Sequence, residues 1–594
     1  MEPLSSQRSS YDAVVVGGGV VGAVVAHKLA SAGKSVLVLE AGTGETMDPD
    51  KYWAYIMSFY SLGAARSAPN SPYPPNLSAL SPNDSAQHPY FIQIGEQRFL
   101  SDYLRAAGGS TLHWQGTSVR MVPNDFLLQS QYGRAVDWPI TYDDLEPYYR
   151  AAEWEIGVSA NVVDQTNFGV WFPEGYDFPM EGIPHSCSDQ FFTKQLAAAG
   201  ENAKVNLYGG PYPLRVIAMP TARNSTPRQG YKPVGAVGVG AVDGGRCQAN
   251  ASCSPICPVQ AKYNAMKTLQ KATLTGNVEI RSQCVATKLQ IDPHTGRITG
   301  VEYKRYAVRG QAEFVRETVR GGVVVLAANA IENTVLALAS GIVDRSGQLG
   351  RNLMDHPYIA LTALAPEPVY PFRGPDITGG IETLRDGKFR EKHAAFRASI
   401  SNWGWPGEPG QSVRSLIGKG VYGRELRDRL QNRLTRMVRL GIFLEQLPDA
   451  NNRVTIDPAK TDQLGNYLPI LNYKYDEYSL DGALTVLNAF WPTVLQQTAM
   501  TDATDFTNVL SGFQAVTYRG QTFNMFGPGH IVGTHRMGRS ANTSVIDTNL
   551  RSWAHPNLYM IGAGSMVTIG TSNPTLTASA LALRASEQML QDLA

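Results

Sequence analysis

Cysteine is scarce in this chain, with five in 594 residues. So few thiols exclude a disulfide-framed scaffold. Charge is scarce too: Asp, Glu, Lys and Arg make up 17%, against ~25% in a typical globular domain. That deficit fits extensive internal burial. Fifty-two basic and 51 acidic residues leave a formal net charge of +1. With no basic stripe and no acidic tail, nucleic acid is excluded as the expected partner. No apolar run approaches the ~18–20 residues of a membrane helix, so no span is expected. The opening residues, Met1 to Ser10, have neither an apolar h-region nor a twin arginine. No export signal is therefore expected of the chain itself.

Glycine and proline are plentiful, at 57 and 36, and imply many turns in a loop-rich α/β chain. The length suits large cores and about two to four domains.

Three of the five cysteines fall within eleven positions, in Arg246-Cys-Gln-Ala-Asn-Ala-Ser-Cys-Ser-Pro-Ile-Cys-Pro258. Closely spaced thiols ending in Cys-Pro suggest an iron–sulfur cluster at Cys247, Cys253 and Cys257. A structural zinc site normally takes four ligands, and Cys187 and Cys284 are remote, though either can fold back. Spacing alone leaves cluster, zinc and free thiols open.

Near the start, Tyr11 to Val16 is a short β-rich run leading into Gly17-Gly-Gly-Val-Val-Gly22. A helical stretch follows to about Ala32, then an apolar strand from Ser35 to Leu39 that ends at Glu40. Strand, G-x-G-x-x-G, helix, strand and acid in that order point to a dinucleotide site. Gly17, Gly19 and Gly22 let the backbone approach a pyrophosphate at a helix N-terminus. Glu40 can accept hydrogen bonds from an adenosine ribose and would repel a 2′-phosphate, which disfavours NADP. The pattern does not separate FAD from NAD.

The last 70 residues hold a second constellation. Gly529-His530-Ile-Val-Gly-Thr-His535-Arg536-Met-Gly538 precedes a strand from Asn557 to Ile561. Then come Gly562-Ala-Gly564-Ser565 and Gly570-Thr-Ser-Asn573-Pro574. Asn before Pro marks a helix start, with Asn573 at the N-cap. The positive end of that helix faces whatever lies before it. The bland readings are a cap for Asn573 and a satisfied buried histidine for His530.

Together these segments resemble the glucose–methanol–choline (GMC) flavoprotein oxidoreductases, over nearly the whole chain. Other matching pieces are Gly108-Gly-Ser-Thr-Leu-His-Trp114, Val323 to Glu332 and Gly350-Arg-Asn-Leu-Met-Asp-His-Pro357. Within the family the chain looks most like the large subunits of bacterial sugar dehydrogenases for fructose, glucose and gluconate. Those have a Cys-x5-Cys-x3-Cys-Pro segment followed by Tyr-Asn, matched here by Tyr263-Asn264. The resemblance implies a [3Fe–4S] cluster on the three cysteines, although Arg246 stands where several relatives have a further cysteine. It implies FAD against Gly109, Ser110, His113, Val285, Ala328, Gly564 and Asn573, beside the fingerprint glycines and Glu40. It also implies that His530 takes the proton of a substrate hydroxyl while Asn573 bonds the same oxygen. A base of near-neutral pKa suits that task. His113, in a His-Trp turn, is open between covalent attachment of FAD and packing beside the flavin.

Two further histidines, His356 and His535, are expected to be structural, with Arg536. Glu445 is open between reaching the active site and a buried ion pair. Arg424 to Arg439 forms a basic helical run, usually a solvated face.

The expected architecture is α/β, with a Rossmann-like FAD domain and a substrate domain built on an antiparallel sheet. The FAD domain takes 1–114, 270–357 and 526–594; the substrate domain takes 115–240 and 358–525; 241–269 is the iron–sulfur segment. The implied activity is FAD-dependent oxidation of a sugar, glycoside or polyol hydroxyl, with electrons passing to a cytochrome-type acceptor and a small subunit as partner. A GMC oxidase using oxygen or quinone is the nearest rival. A non-catalytic nucleotide-binding subunit and an NAD enzyme also share the fold. Cytoplasmic residence and export alongside a signal-bearing partner stay open.

Overall fold

The computed structural model of the chain describes residues 8–58, 91–166, 169–228, 230–234, 245–249, 253, 256–307, 312–371, 373–402, 413, 416–507, 509 and 512–594. Most of the N-terminal stretch (1–7) and parts of the cysteine segment (241–244, 250–252, 254–255) lie outside them.

Two sheets dominate. The first contains a parallel core in the order Val278–Arg281, Val36–Leu39, Ser10–Val16, Phe314–Leu326 and Leu558–Met560. Polar–apolar alternation is absent from the centre of this sheet: Ala13, Val14, Val15, Val36, Leu37, Val38 and Val323 to Leu326 are all buried. Continuous apolar runs of this kind are what a parallel sheet covered on both faces demands. Helix Val20–Ser31 follows the first strand and packs against helices Ala265–Leu274 and Pro574–Asp592. The strand Phe314–Leu326 does double duty. Its second half is parallel to Ser10–Val16, while its first half pairs antiparallel with Ile298–Tyr306, which pairs in turn with Cys284–Ile291.

The second sheet is six-stranded and antiparallel. Its order is Thr501–Asp502, Tyr358–Leu364, Met437–Leu444, Phe396–Ser401, Ile377–Ile381, Val216–Ala218. Register sets Arg397 opposite Phe443 and Phe443 opposite Tyr358. Directly opposed residues share a face, so these three form one row. This is the α/β class with an antiparallel second sheet that the sequence implies.

Some local expectations shift. The basic run is helical only over Gly423–Leu434, which has no buried residue; Arg439 lies in the next strand, opposite Thr362. Ile92–Gln93 pairs with Ile470–Asn472, tying part of the first 114 residues to the later segment. Among the described residues, no helix is long and apolar enough to cross a membrane.

Candidate active site

The nucleotide loop is shaped by close backbone approach. Gly17 has φ +110°, where a side chain would be strained. A methyl there would lie 2.8 Å from the Ala327 carbonyl oxygen and from Ala328. At Gly22 it would lie 2.0 Å from the Gly17 carbonyl oxygen. At Gly19, by contrast, it would meet nothing within 4 Å. The first two glycines therefore serve packing, and Gly19 borders open space at the N-cap of helix Val20–Ser31. Gly109, at φ +54°, closes the other side: its added methyl would come 3.2 Å from the Gly19 Cα. The loops are joined by Gly108 N–H donating to the Gly18 carbonyl at 3.0 Å. Glu40 is buried and accepts the Gly18 N–H at 2.8 Å and the Gly42 N–H at 2.7 Å, one on each oxygen. Burial raises its pKa, and the two amides oppose the rise. Val285 follows Cys284, whose N–H donates to the Glu40 carbonyl at 2.9 Å. Ala328 donates its N–H to Asn333 Oδ1 at 3.0 Å, and the Ser110 hydroxyl accepts the Leu104 N–H at 3.2 Å.

His530 and Asn573 meet, 43 residues apart in sequence, with Asn573 Nδ2 2.9 Å from His530 Nε2. The hydrogen-bond directions follow from partners of fixed character. His356 Nε2 lies 3.1 Å from the Gly570 carbonyl, which only accepts, so this nitrogen carries the proton of neutral His356. Its Nδ1 is then an acceptor, and His530 Nδ1, 2.9 Å away, must be the donor. That leaves His530 Nε2 as an acceptor, facing the Asn573 N–H. At the other end, Asn573 Oδ1 accepts from Arg397 Nη2. The run Arg397, Asn573, His530, His356, Gly570 thus has one direction, from the guanidinium to the Gly570 carbonyl, and within it His530 Nε2 keeps its lone pair toward Asn573.

Asn573 occupies the N-cap of helix Pro574–Asp592, yet its side chain makes no cap bond; His530 and Arg397 take it instead. His530 is half-buried, and the Phe443 ring lies 5.8 Å from it. Burial, then the nearby Arg397 charge, lower its pKa to about 3. That corrects the expectation of a near-neutral base. Asp355 accepts the backbone N–H of His530 at 3.1 Å and of His356 at 2.7 Å, and bonds the Ser101 hydroxyl. Burial raises Asp355 to about 7. His356, expected to be structural, is therefore bonded directly to His530.

The three cysteines are free, with Cys253 and Cys257 buried and Cys247 partly so. Burial disfavours the charge on Arg223, but Cys253, Asp376, Cys247 and Cys257 together outweigh it and raise its pKa. All three thiols thus bear on one guanidinium. Lys262 donates to the carbonyls of Trp114 and, at 2.7 Å, Cys253. Trp114 Nε1 donates to the Tyr263 carbonyl at 2.7 Å, and Ala265 N–H to the Thr111 hydroxyl at 2.9 Å. The cysteine segment is thereby stitched to the Gly108–Trp114 loop. Burial raises the Cys253 thiol to about 11. Among the described residues no three cysteine sulfurs lie within 4.8 Å of one another. A mononuclear tetrahedral zinc site would need sulfurs about 3.8 Å apart. The two buried cations Arg223 and Lys262 beside the thiols suit an anionic group. The Arg223 Nε and both Asp376 oxygens are buried without hydrogen-bond partners, and both residues bear electrostatically on Cys253.

Models of the GMC oxidoreductase N-terminal and C-terminal regions match residues 11–358 and 448–582. The chain belongs to the GMC oxidoreductase family. It is 30% identical to the fructose dehydrogenase large subunit of Gluconobacter japonicus, covering 99% of each chain. It is 22% identical to the gluconate 2-dehydrogenase flavoprotein of Pantoea cypripedii, covering 97% of this chain and 93% of that one. The crystal structure of a formate oxidase matches at a TM-score of 0.63 and 14% identity, over 99% of this chain and 100% of that one; this likeness concerns the fold.

As a GMC oxidoreductase the chain is an FAD-dependent enzyme acting on CH–OH donors. The cradle around Gly19 fits the cofactor: tight turns at Gly17 and Gly22, open space at Gly19, a buried carboxylate at Glu40. His113 is buried, with its Nε2 bonded to the Tyr55 hydroxyl. Gly564 lies against His535, whose Nε2 would be 2.2 Å from an added methyl. Arg536 Nη2 donates to the Thr543 carbonyl at 3.3 Å. Glu445 is a buried ion-pair partner of Arg390, at 2.6 Å. Sequence reasoning misses Arg397; its only trace there is an arginine within the apolar strand Phe396–Ser401.

Proposed function

We propose that this GMC enzyme is a dehydrogenase of a sugar, glycoside or polyol hydroxyl that passes its electrons to an external acceptor. The observation that carries this reading is the directional hydrogen-bond run that leaves His530 Nε2 as a proton acceptor. FAD, when bound, supplies the acceptor of the hydride that leaves the substrate carbon. His530 Nε2 takes the hydroxyl proton from the same carbinol group, so that the C–H and O–H bonds are lost and a carbonyl remains. Asn573 turns its N–H from Nε2 to the substrate oxygen as that oxygen gives up its proton. A base whose pKa is about 3 cannot ionise an alcohol beforehand. It accepts the proton as hydride departs and the O–H becomes acidic, so the two transfers are coupled.

The substrate class is suggested by the fructose and gluconate dehydrogenase relatives. Cys247, Cys253 and Cys257 would hold a [3Fe–4S] cluster, with Arg223 and Lys262 beside it. Such a cluster, when bound, accepts electrons singly. A small subunit and a cytochrome-type acceptor fit that role. The first sheet, with the N- and C-terminal segments, would form the FAD domain, and the antiparallel sheet the substrate domain.

The test combines anaerobic flavin bleaching by a panel of sugars and polyols with oxygen uptake and low-temperature electron paramagnetic resonance. Bleaching, negligible oxygen uptake and a cluster signal in the oxidised protein are expected. Rapid oxygen consumption with no cluster signal would favour the oxidase. Cys253→Ser should spare flavin reduction and block transfer to the acceptor. Acid precipitation reads the His113 question: flavin in the supernatant excludes a covalent bond.

A further inference from the structure

Asn573 is a side chain whose two ends look alike in shape and differ in chemistry. Which end meets the reacting oxygen depends on what holds the other end. Arg397 holds it. The guanidinium is 1% exposed and stacks 4.2 Å above the Phe443 ring. Its Nε donates to the Thr571 carbonyl at 3.0 Å, its Nη1 to the Ser399 hydroxyl at 2.8 Å, and its Nη2 to Asn573 Oδ1. Guanidinium nitrogens only donate, so Asn573 must present Oδ1 to Arg397 and its N–H to His530. The nearest carboxylate, Glu382, stays 3.8 Å from Nη1, and neither of its buried oxygens has a hydrogen bond. Glu382 therefore leaves the Nη2 donor free for Asn573.

We propose that Arg397 is the positioning residue of the reaction: it fixes the Asn573 amide so that an N–H, and not the carbonyl oxygen, faces the substrate oxygen as charge develops there. This rests on the roles of His530 and Asn573 given above. With the amide reversed, Oδ1 would oppose the developing alkoxide. Loss of one donor of this kind costs ~10²–10³ in kcat. The fixed charge of Arg397 also adds to the effect of burial on His530. The other ionisable groups facing His530 are His356, at its Nδ1, and Asp355, at its backbone N–H.

The experiment is a double-mutant cycle on flavin reduction. Arg397→Met is combined with Glu382→Gln, so that the buried carboxylate is not left with Arg385 alone at 3.7 Å, and Glu382→Gln alone is the reference. The Arg397 change should slow reduction ~10²-fold with a far smaller change in KM. In an Asn573→Ala background the same change should cost less than ~3-fold, because no amide remains to be oriented. Equal losses in the two backgrounds would overturn the proposal. If the methionine variant does not fold, Arg397→Lys carries the same cycle, since a lysine cannot form the three-way fork. Histidine ¹⁵N shifts give an arm that needs no substrate. In the wild type His530 should be neutral and protonated at Nδ1 down to the lowest pH at which the protein stays folded. In the Arg397→Met, Glu382→Gln variant it should bind a second proton at higher pH, toward the ordinary value of about 6.5. An unchanged titration also overturns the proposal. If no sugar or polyol bleaches the wild-type flavin, the reading of substrate class falls, while the ¹⁵N arm still decides Arg397.

Discussion

The nucleotide cradle and the proposed reaction site are built by opposite means. The cradle is made of backbone: Gly17, Gly19 and Gly22 lie within six positions and act by what they lack. The reaction site is made of side chains from far apart. Arg397 and Asn573 are separated by 176 residues, and His356 and His530 by 174. A backbone site tolerates almost no added atom. A side-chain site tolerates substitution structurally but loses its directionality. Holding the cofactor and handling the proton should therefore be separable by mutation.

The largest effect expected is at Gly22. Its added methyl would sit 2.0 Å from the Gly17 carbonyl oxygen, so Gly22→Ala should purify without flavin or not fold, read by the visible absorbance of the isolated protein. Retention of a full flavin complement would break the comparison from the cradle side. His530→Ala should keep its flavin and lose ~10²–10⁴ in the rate of flavin reduction. Near-normal reduction in stopped flow would remove His530 from its role. Gly19→Ala sharpens the contrast within the cradle. With nothing within 4 Å to clash, the fold should survive, and the added methyl should weaken FAD binding by about tenfold, a modest steric cost of ~1.4 kcal/mol. An FAD titration of the apoprotein measures it. The smallest effect is an absence. His530 must be neutral to accept the proton, and its pKa is lowered to about 3. The reductive rate should therefore stay flat between about pH 5 and 8 and fall only toward that value. An acidic limb near 6.5 would show that burial and Arg397 do not depress His530 as described.

The cradle is legible in the sequence because its causes are contiguous. Glycine spacing, the flanking apolar strands and Glu40 all lie within 31 residues of one another, Ser10 to Glu40. The C-terminal pair is half legible. His530 and Asn573 stand in matching segments, and a cap is the natural reading of Asn-Pro, but the amide is diverted to His530 and to Arg397 of the antiparallel sheet. His356 and Arg397 are not legible at all. An Asp-His-Pro turn and an arginine in a buried strand carry no local mark of what they touch; only the register of the antiparallel sheet brings Arg397 over Phe443 and toward Asn573. The low pKa of His530 is hidden for the same reason, since both of its causes, burial and Arg397, arise from tertiary structure.

The strand Phe314–Leu326 also has a consequence for how the chain is made. Ser10–Val16 gains one parallel neighbour, Val36–Leu39, soon after it emerges, but its other edge stays open until residues 320–326 appear, and the strand Leu558–Met560 comes more than 500 residues after it. At ~5–20 residues per second of synthesis, the first strand waits about half a minute to two minutes for its sheet to be completed. For much of that time the edge away from Val36–Leu39 is unprotected on the nascent chain. An open strand edge of that kind is an aggregation hazard on a nascent chain, so the order of the strands sets how long the hazard lasts.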